Sequence, residues 1–167
     1  WVVSITVPCD ANAEVKLVSA NSSQFPSVSR LAFTSTSTMD SLNKPFAPSM
    51  GRKQIGEEQL VNHLPYFDWK SWITQLSKFK YGVHLMRTHA AGTFALNCAY
   101  LGIPCIGYKG LDTQELCHPD LTVEVGDLDK AKYLIQKLAS EDNFYYINST
   151  KAKSLYRENF NESKFKL

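Results

Sequence analysis

The chain has 167 residues, of which 44% are hydrophobic, 12% aromatic and 20% charged. This composition is that of one globular domain, and it excludes disorder, collagen-like repeats and a small disulfide scaffold. The net charge of +2 is too small to indicate nucleic-acid binding, and no apolar run approaches the roughly 18 residues of a transmembrane helix. The four cysteines form no C-x-x-C pair, so no metal site is predicted and a reducing, cytoplasmic location is expected.

Residues 1–57 are rich in Ser and Thr and are interrupted by prolines. Short strands are predicted at residues 1–7, 15–19 and 31–36, and a long loop is predicted over residues 39–56. We assign this region to poorly defined strands and a loop that belong to the same domain as the rest of the chain.

The remainder, residues 58–167, alternates strand and helix patterns. Strands are predicted at residues 61–67, 81–86, 103–108 and 121–125. Helices are predicted at residues 69–79 (capped by Asp68, Phe79 on the apolar face), at 93–101 (closed by Gly102), after a cap at Asp127 or Asp129, and at 141–159 with Ile147 inward. This order predicts an α/β fold, a Rossmann-like doubly wound parallel sheet with helices on both faces.

Ligands of such sheets bind beyond the carboxyl ends of the strands, which directs attention to the loop of residues 87–93. Small residues ending in Gly92 allow a ligand close to the backbone, and the first amides of the following helix attract an anion. Arg87 and His89 add charge and a hydrogen bond, and Thr93 is both a cap and a donor to phosphate. The loop therefore predicts a phosphate or diphosphate site; the alternative is an ordinary tight connection between a strand and a helix.

The segment of residues 84–106 resembles the nucleotide-sugar-binding half of glycosyltransferases with the GT-B architecture. A strand, a short loop with a glycine, a helix of small apolar residues and then Gly102-Ile103-Pro104 before a buried strand carry this resemblance. It extends over roughly residues 58–160. It implies one half of a GT-B architecture whose partners are a nucleoside-diphosphate sugar, an acceptor glycan or lipid, and a missing N-terminal domain of the same enzyme, with no metal or cofactor.

The family's pattern also assigns roles to single residues. Many retaining members have two glutamates eight positions apart, where this chain has His89 and Asn97, which leaves retaining or inverting stereochemistry open. Asn97 is then expected to contact the ribose, and Tyr66 the base. The residues expected to reach the donor sugar follow the next strand, in a loop: Asp112, Thr113 and Glu115. The candidates for the basic phosphate clamp are Lys16, Arg30, Arg52 and Lys53.

The sequence thus predicts the donor-binding domain of a glycosyltransferase, in which Arg87 and His89 are the catalytic candidates and Gly92, Thr93 and Asn97 bind the donor. The alternative is a non-catalytic doubly wound module that binds a nucleotide or a partner protein. The location is expected to be cytoplasmic, with attachment at a membrane periphery through the missing half.

Overall fold

The computed structural model describes residues 64–85 and 93–161 in full, together with the backbone of five strands elsewhere. These five strands are Ser4–Pro8 (β1), Lys16–Ser19 (β2), Leu31–Thr34 (β3), Phe46–Ala47 (β4) and Asn62–His63 (β5). The short strand β4 lies inside the region predicted as a loop, whereas β1, β2 and β3 lie where strands are predicted.

The fully described part alternates helices with strands, as the sequence predicts. In chain order its elements are α1 (Trp69–Leu76), β6 (Phe79–His84), α2 (Thr93–Leu101), β7 (Cys105–Tyr108), α3 (Asp112–Cys117), a 3-10 turn (Pro119–Leu121), β8 (Thr122–Val123), α4 (Leu128–Ser140) and α5 (Asp142–Asn159).

Six of the strands form one mixed sheet in the order β5-β4-β1-β6-β7-β8, and β2 pairs with β3 separately. Strands β6, β7 and β8 are parallel, as are β4 and β5. Strand β1 runs antiparallel to both β4 and β6, so the prediction of a parallel sheet is wrong at this strand. The direction of a strand follows from the path of the chain between strands, which residue patterns in the strand do not encode. The fold is therefore mixed α/β with a three-stranded parallel segment.

Helices pack against both faces of that parallel segment. Tyr81 and Val83 of β6 join the cluster that α4 covers, together with Ile106 and Tyr108 of β7. On the opposite face Gly82 lies against Phe94 and Cys98 of α2: a Cβ added there would lie 2.9 Å from the Phe94 ring. Alternate residues of one strand thus face different helices, which is the pattern of a sheet buried on both sides. The last helix, α5, packs against α2, α3 and α4.

Asp68 and Asp127 cap two of the helices. The carboxylate of Asp68 accepts hydrogen bonds from the amides of Lys70 (3.0 Å) and Ser71 (3.1 Å) and from the Ser71 hydroxyl (2.6 Å). The bonds from Ser71 hold the pKa of this carboxyl below its usual value. Asp127, rather than Asp129, caps α4 by accepting from the Lys130 amide at 3.0 Å. Both helices therefore begin directly after the aspartate that the sequence indicates as a cap.

Further sequence predictions fail within the described residues. Helix α1 ends at Leu76, so Phe79 belongs to β6, where it is buried by the sheet and not by the helix face. Ile147 is 50% exposed, because α5 turns Asn148 and Ala152 inward instead. The predicted loop after β7 contains the helix α3.

Candidate functional site

The carboxyl ends of β6, β7 and β8 lie at one edge of the sheet because the three strands are parallel. Helix α2 begins at this edge, following β6, and Thr93 is its exposed first residue. The first turn of α2 contains no acidic residue that would compete for its amides. The predicted stop at Gly102 is also confirmed: Gly102 has φ +75°, and the Ile103 amide donates to the Cys98 carbonyl oxygen at 2.8 Å.

The central residues of the predicted phosphate loop, Arg87, His89 and Gly92, lie outside the described residues. Their roles stay predictions. Among the four clamp candidates, Lys16 lies in β2, which pairs with β3 outside the six-stranded sheet. The other three, Arg30, Arg52 and Lys53, lie outside the described part of the chain.

Asn97 lies one turn into α2 and lines a groove between α1 and α2. Its side chain is only 7% exposed, and no hydrogen bond joins it to any residue that the structure describes. The groove has a volume of about 400 Å³. The described residues that line it are Trp69, Lys70 and Ile73 from α1, Leu96, Asn97 and Tyr100 from α2, and Tyr156 from α5.

Tyr66, the predicted base contact, is 84% exposed in the segment before α1 and is not among the residues that line this groove. Trp69 lines it instead, with 64% of its surface exposed. The sequence signal for this position is Asp68: as a cap it makes Trp69 the first residue of α1, at the opposite end of the helix from the buried Leu76.

The predicted donor-sugar contacts Asp112, Thr113 and Glu115 lie on helix α3, so their prediction as loop residues is wrong. Leu111, Gln114 and Cys117 anchor this helix, since all three are buried at a helical spacing. Glu115 accepts a hydrogen bond from the Gly110 amide at 2.6 Å, and Gly110 has φ +97°. The carboxylate of Glu115 therefore holds the turn that follows β7, and Asp112 is exposed beside it.

Lys109 is a cation at the carboxyl edge that sequence reasoning missed. It directly follows β7, and its Nζ lies 3.0 Å from an oxygen of Glu124, which follows β8. The bond to Glu124 raises the pKa of Lys109. Both side chains are exposed, so the ion pair adds little to stability and Lys109 remains accessible to an anion at this edge.

On the other side of α2, His118 joins three elements. Its Nδ1 accepts from the Cys105 amide at 3.3 Å, so the neutral ring donates from Nε2 to the Ala95 carbonyl oxygen at 3.0 Å. Burial lowers the pKa of His118 to about 4. Gln114, one turn earlier, donates to the Cys105 carbonyl oxygen at 2.8 Å. His118 is therefore a structural residue.

His84 ends β6, three residues before the predicted phosphate loop in the sequence. It is buried with its ring 5.5 Å from that of Phe94, and its Nδ1 has no hydrogen-bond partner among the described residues. Burial lowers its pKa to about 4, so the ring is neutral at pH 7. His84 is therefore a packed residue of the strand.

No protein-family model matches this chain, and no curated protein or solved structure does so either. Within the described ranges, no group of three or more His, Cys, Asp or Glu side chains is arranged to hold a metal ion. None of the helices described here is both long and apolar enough to cross a membrane.

Proposed function

We propose that the chain is the donor-binding half of a GT-B glycosyltransferase and binds a nucleoside-diphosphate sugar at the carboxyl edge of its sheet. In this proposal the mixed sheet is a variant of the Rossmann-like, doubly wound arrangement. The observation that supports it most is the start of α2: an exposed Thr93 and a first turn without acidic residues, at the edge where parallel strands end. Such helix starts bind phosphate through free amides and the helix dipole.

The chemistry of the proposed site is electrostatic. When the bond between sugar and nucleotide breaks, negative charge builds on the departing diphosphate. Amides at Gly92 and Thr93, with Arg87 and His89 nearby in sequence, stabilise that charge more strongly than the charge of the intact donor. Lys109 lies at the same edge and adds a cation that faces Glu124 in the free protein.

Transfer also needs an acceptor hydroxyl and, in an inverting enzyme, a base to deprotonate it. The family supplies that base from the N-terminal domain. We propose that this chain binds the donor and transfers little sugar alone. The acceptor, a glycan or a lipid, is expected to bind between the two domains of a cytoplasmic enzyme.

Calorimetric titration of the 167-residue chain with UDP, GDP, CDP and ADP, and then with the matching sugar nucleotides, tests this proposal. We expect saturable binding of one base class and its loss in Gly92→Val, because a larger side chain in the loop keeps the diphosphate away from the amides. Ala139→Val is the matched control, since Ala139 is exposed on α4. Equal affinity in Gly92→Val and in the parent chain would remove the anion site.

A second candidate function is a non-catalytic module that binds a nucleotide or a partner protein. The observation that favours it is the residue at position 97, a buried amide where many retaining enzymes have a carboxylate. Nucleoside diphosphates that bind as tightly as their sugar conjugates would favour this candidate, because a transferase is expected to contact the sugar as well.

A further inference from the structure

The groove between α1 and α2 contains an amide that nothing in the described protein satisfies. Asn97 is 7% exposed, and no described residue donates to it or accepts from it. The described polar atoms that are fully buried without a partner do not include those of Asn97, so its amide reaches the solvent of the groove, where a ligand can replace water as its hydrogen-bond partner. The groove of about 400 Å³ in front of it provides room for a small ligand.

The walls of this groove indicate a flat aromatic ligand. Tyr100 and Tyr156 meet edge to face with ring centroids 5.4 Å apart, which fixes one wall. Trp69 lies on the α1 side and presents most of its indole to solvent. Indole surfaces of this kind stack on nucleobases, because every base has a π face.

Asn97 provides hydrogen-bonding groups that suit such a ligand. A side-chain amide has a donor and an acceptor side by side, the pattern that pairs with the edge of a nucleobase through two hydrogen bonds. Lys70 on the same wall supplies a cation to the ligand's phosphate end or to a base oxygen.

The groove is also at the correct distance from the proposed diphosphate site. Asn97 follows Thr93 by four residues on one side of α2, which places it about 6 Å along the helix axis. A diphosphate at the start of the helix therefore leaves about the length of a ribose before the groove. Tyr66 does not line this space.

We infer that the α1–α2 groove binds the nucleobase of the donor, with Trp69 stacking on the base and Asn97 bonding to its edge. This inference rests on the proposed function for the diphosphate end. It assigns Trp69 a binding role and moves Asn97 from the ribose to the base.

The test compares nucleoside diphosphates with inorganic pyrophosphate, which has the anion but no base. Trp69→Leu and Asn97→Leu are each expected to weaken the best nucleoside diphosphate about tenfold and to leave pyrophosphate affinity unchanged. Gly92→Val is expected to weaken both ligands. Tyr146→Leu is the control, because Tyr146 is a 68% exposed aromatic residue on α5 that does not line the groove. The 2′-deoxy form of the ligand is expected to bind as tightly as the ribo form.

Each result tests either the base site in the groove or the diphosphate site at the start of α2. The base site is overturned if both groove variants bind the nucleotide as tightly as the parent chain does. It is also overturned if pyrophosphate binds as tightly as the nucleotide. Neither result contradicts the diphosphate site. If the 2′-deoxy form loses as much affinity as Asn97→Leu does, Asn97 binds the ribose and the inference is wrong. If neither phosphate ligand binds, the proposed function fails, and the free nucleosides then decide the inference. Saturable NMR shifts of the Trp69 indole and Asn97 amide protons support it, and their absence overturns it.

Discussion

The polar side chains on two neighbouring sides of α2 differ in how they are bonded. On the side facing α3, His118 uses both ring nitrogens, one for the Cys105 amide and one for the Ala95 carbonyl oxygen. On the side facing α1, Asn97 is 7% exposed, and its amide bonds to no described residue but reaches solvent. We refer to these regions as the α3 seam (Gln114, His118 and Cys105) and the α1–α2 groove.

This difference in bonding distinguishes polar groups that stabilise the fold from a polar group that a ligand can reach. In the α3 seam both ring nitrogens of His118 and the side-chain NH2 of Gln114 bond within the protein, so these bonds stabilise the junction of α2, α3 and β7. The buried Oε1 of Gln114 has no partner among the described residues. In the groove, the Asn97 amide makes no hydrogen bond to a described residue and is accessible to solvent. Close packing also distinguishes the regions: a Cβ added at Gly107 would lie 2.5 Å from Gln114 Oε1, whereas the groove is open.

The largest predicted effect comes from the seam. His118→Leu is expected to lower the free energy of unfolding by about 3 kcal/mol, because the buried Cys105 amide loses its partner. His84→Leu is the matched variant: His84 is equally buried, but its Nδ1 has no described partner, so a loss below about 1 kcal/mol is expected. Urea unfolding of both variants measures the difference. Equal losses in the two variants would show that the seam bonds add nothing beyond burial.

The second prediction concerns the loss of folding stability at low pH. The pKa of both His84 and His118 is about 4 in the folded chain and lies near 6.5 in the unfolded chain, so the unfolded state binds more protons between these values. Their stabilising effect is fully present above pH 6.5 and is lost as the pH falls toward 4. Each histidine is expected to remove about 2 kcal/mol of unfolding free energy between pH 7 and pH 5.

Stability curves at pH 7, 6 and 5 measure this loss, and His118→Leu provides the control. The variant is less stable at pH 7, but its stability is expected to fall less steeply with acid than that of the parent. An equally steep fall in the variant would mean that His118 titrates in the folded protein near its ordinary pKa.

Local sequence signals predicted much of the fold correctly. Asp68 and Asp127 identify the starts of α1 and α4, and Gly102 the end of α2, because each satisfies the backbone groups at a helix terminus. Strand direction at β1 and the helix α3 were missed. Six residues of α3 give too short a pattern, and one of its two inward residues, Gln114, is a polar side chain that is not typical of a core.

The candidate site was predicted less completely. Sequence spacing identified Thr93 as a helix start, and the resemblance predicts a binding role for Asn97; the structure places the two residues one turn apart on α2. It did not identify Trp69 or Lys109. Trp69 reads as a core residue by its apolar character, and Lys109 gains its neighbour Glu124 only through the pairing of β7 with β8. Contacts between distant segments, rather than local pattern, determine both.

The smallest predicted effect tests the groove side of the comparison. Asn97→Leu keeps the approximate volume of the side chain and removes an amide that bonds to no described residue. The free energy of unfolding is therefore expected to change by less than about 0.5 kcal/mol, or to rise, because no hydrogen bond is lost and apolar contact with Ile73 and Leu96 is gained. Urea unfolding beside His118→Leu measures both sides of α2 under the same conditions. If Asn97→Leu costs as much as His118→Leu, the amide is a structural group and the groove lacks its polar anchor. If the cost is negligible while nucleotide affinity falls, Asn97 is retained for binding rather than for folding.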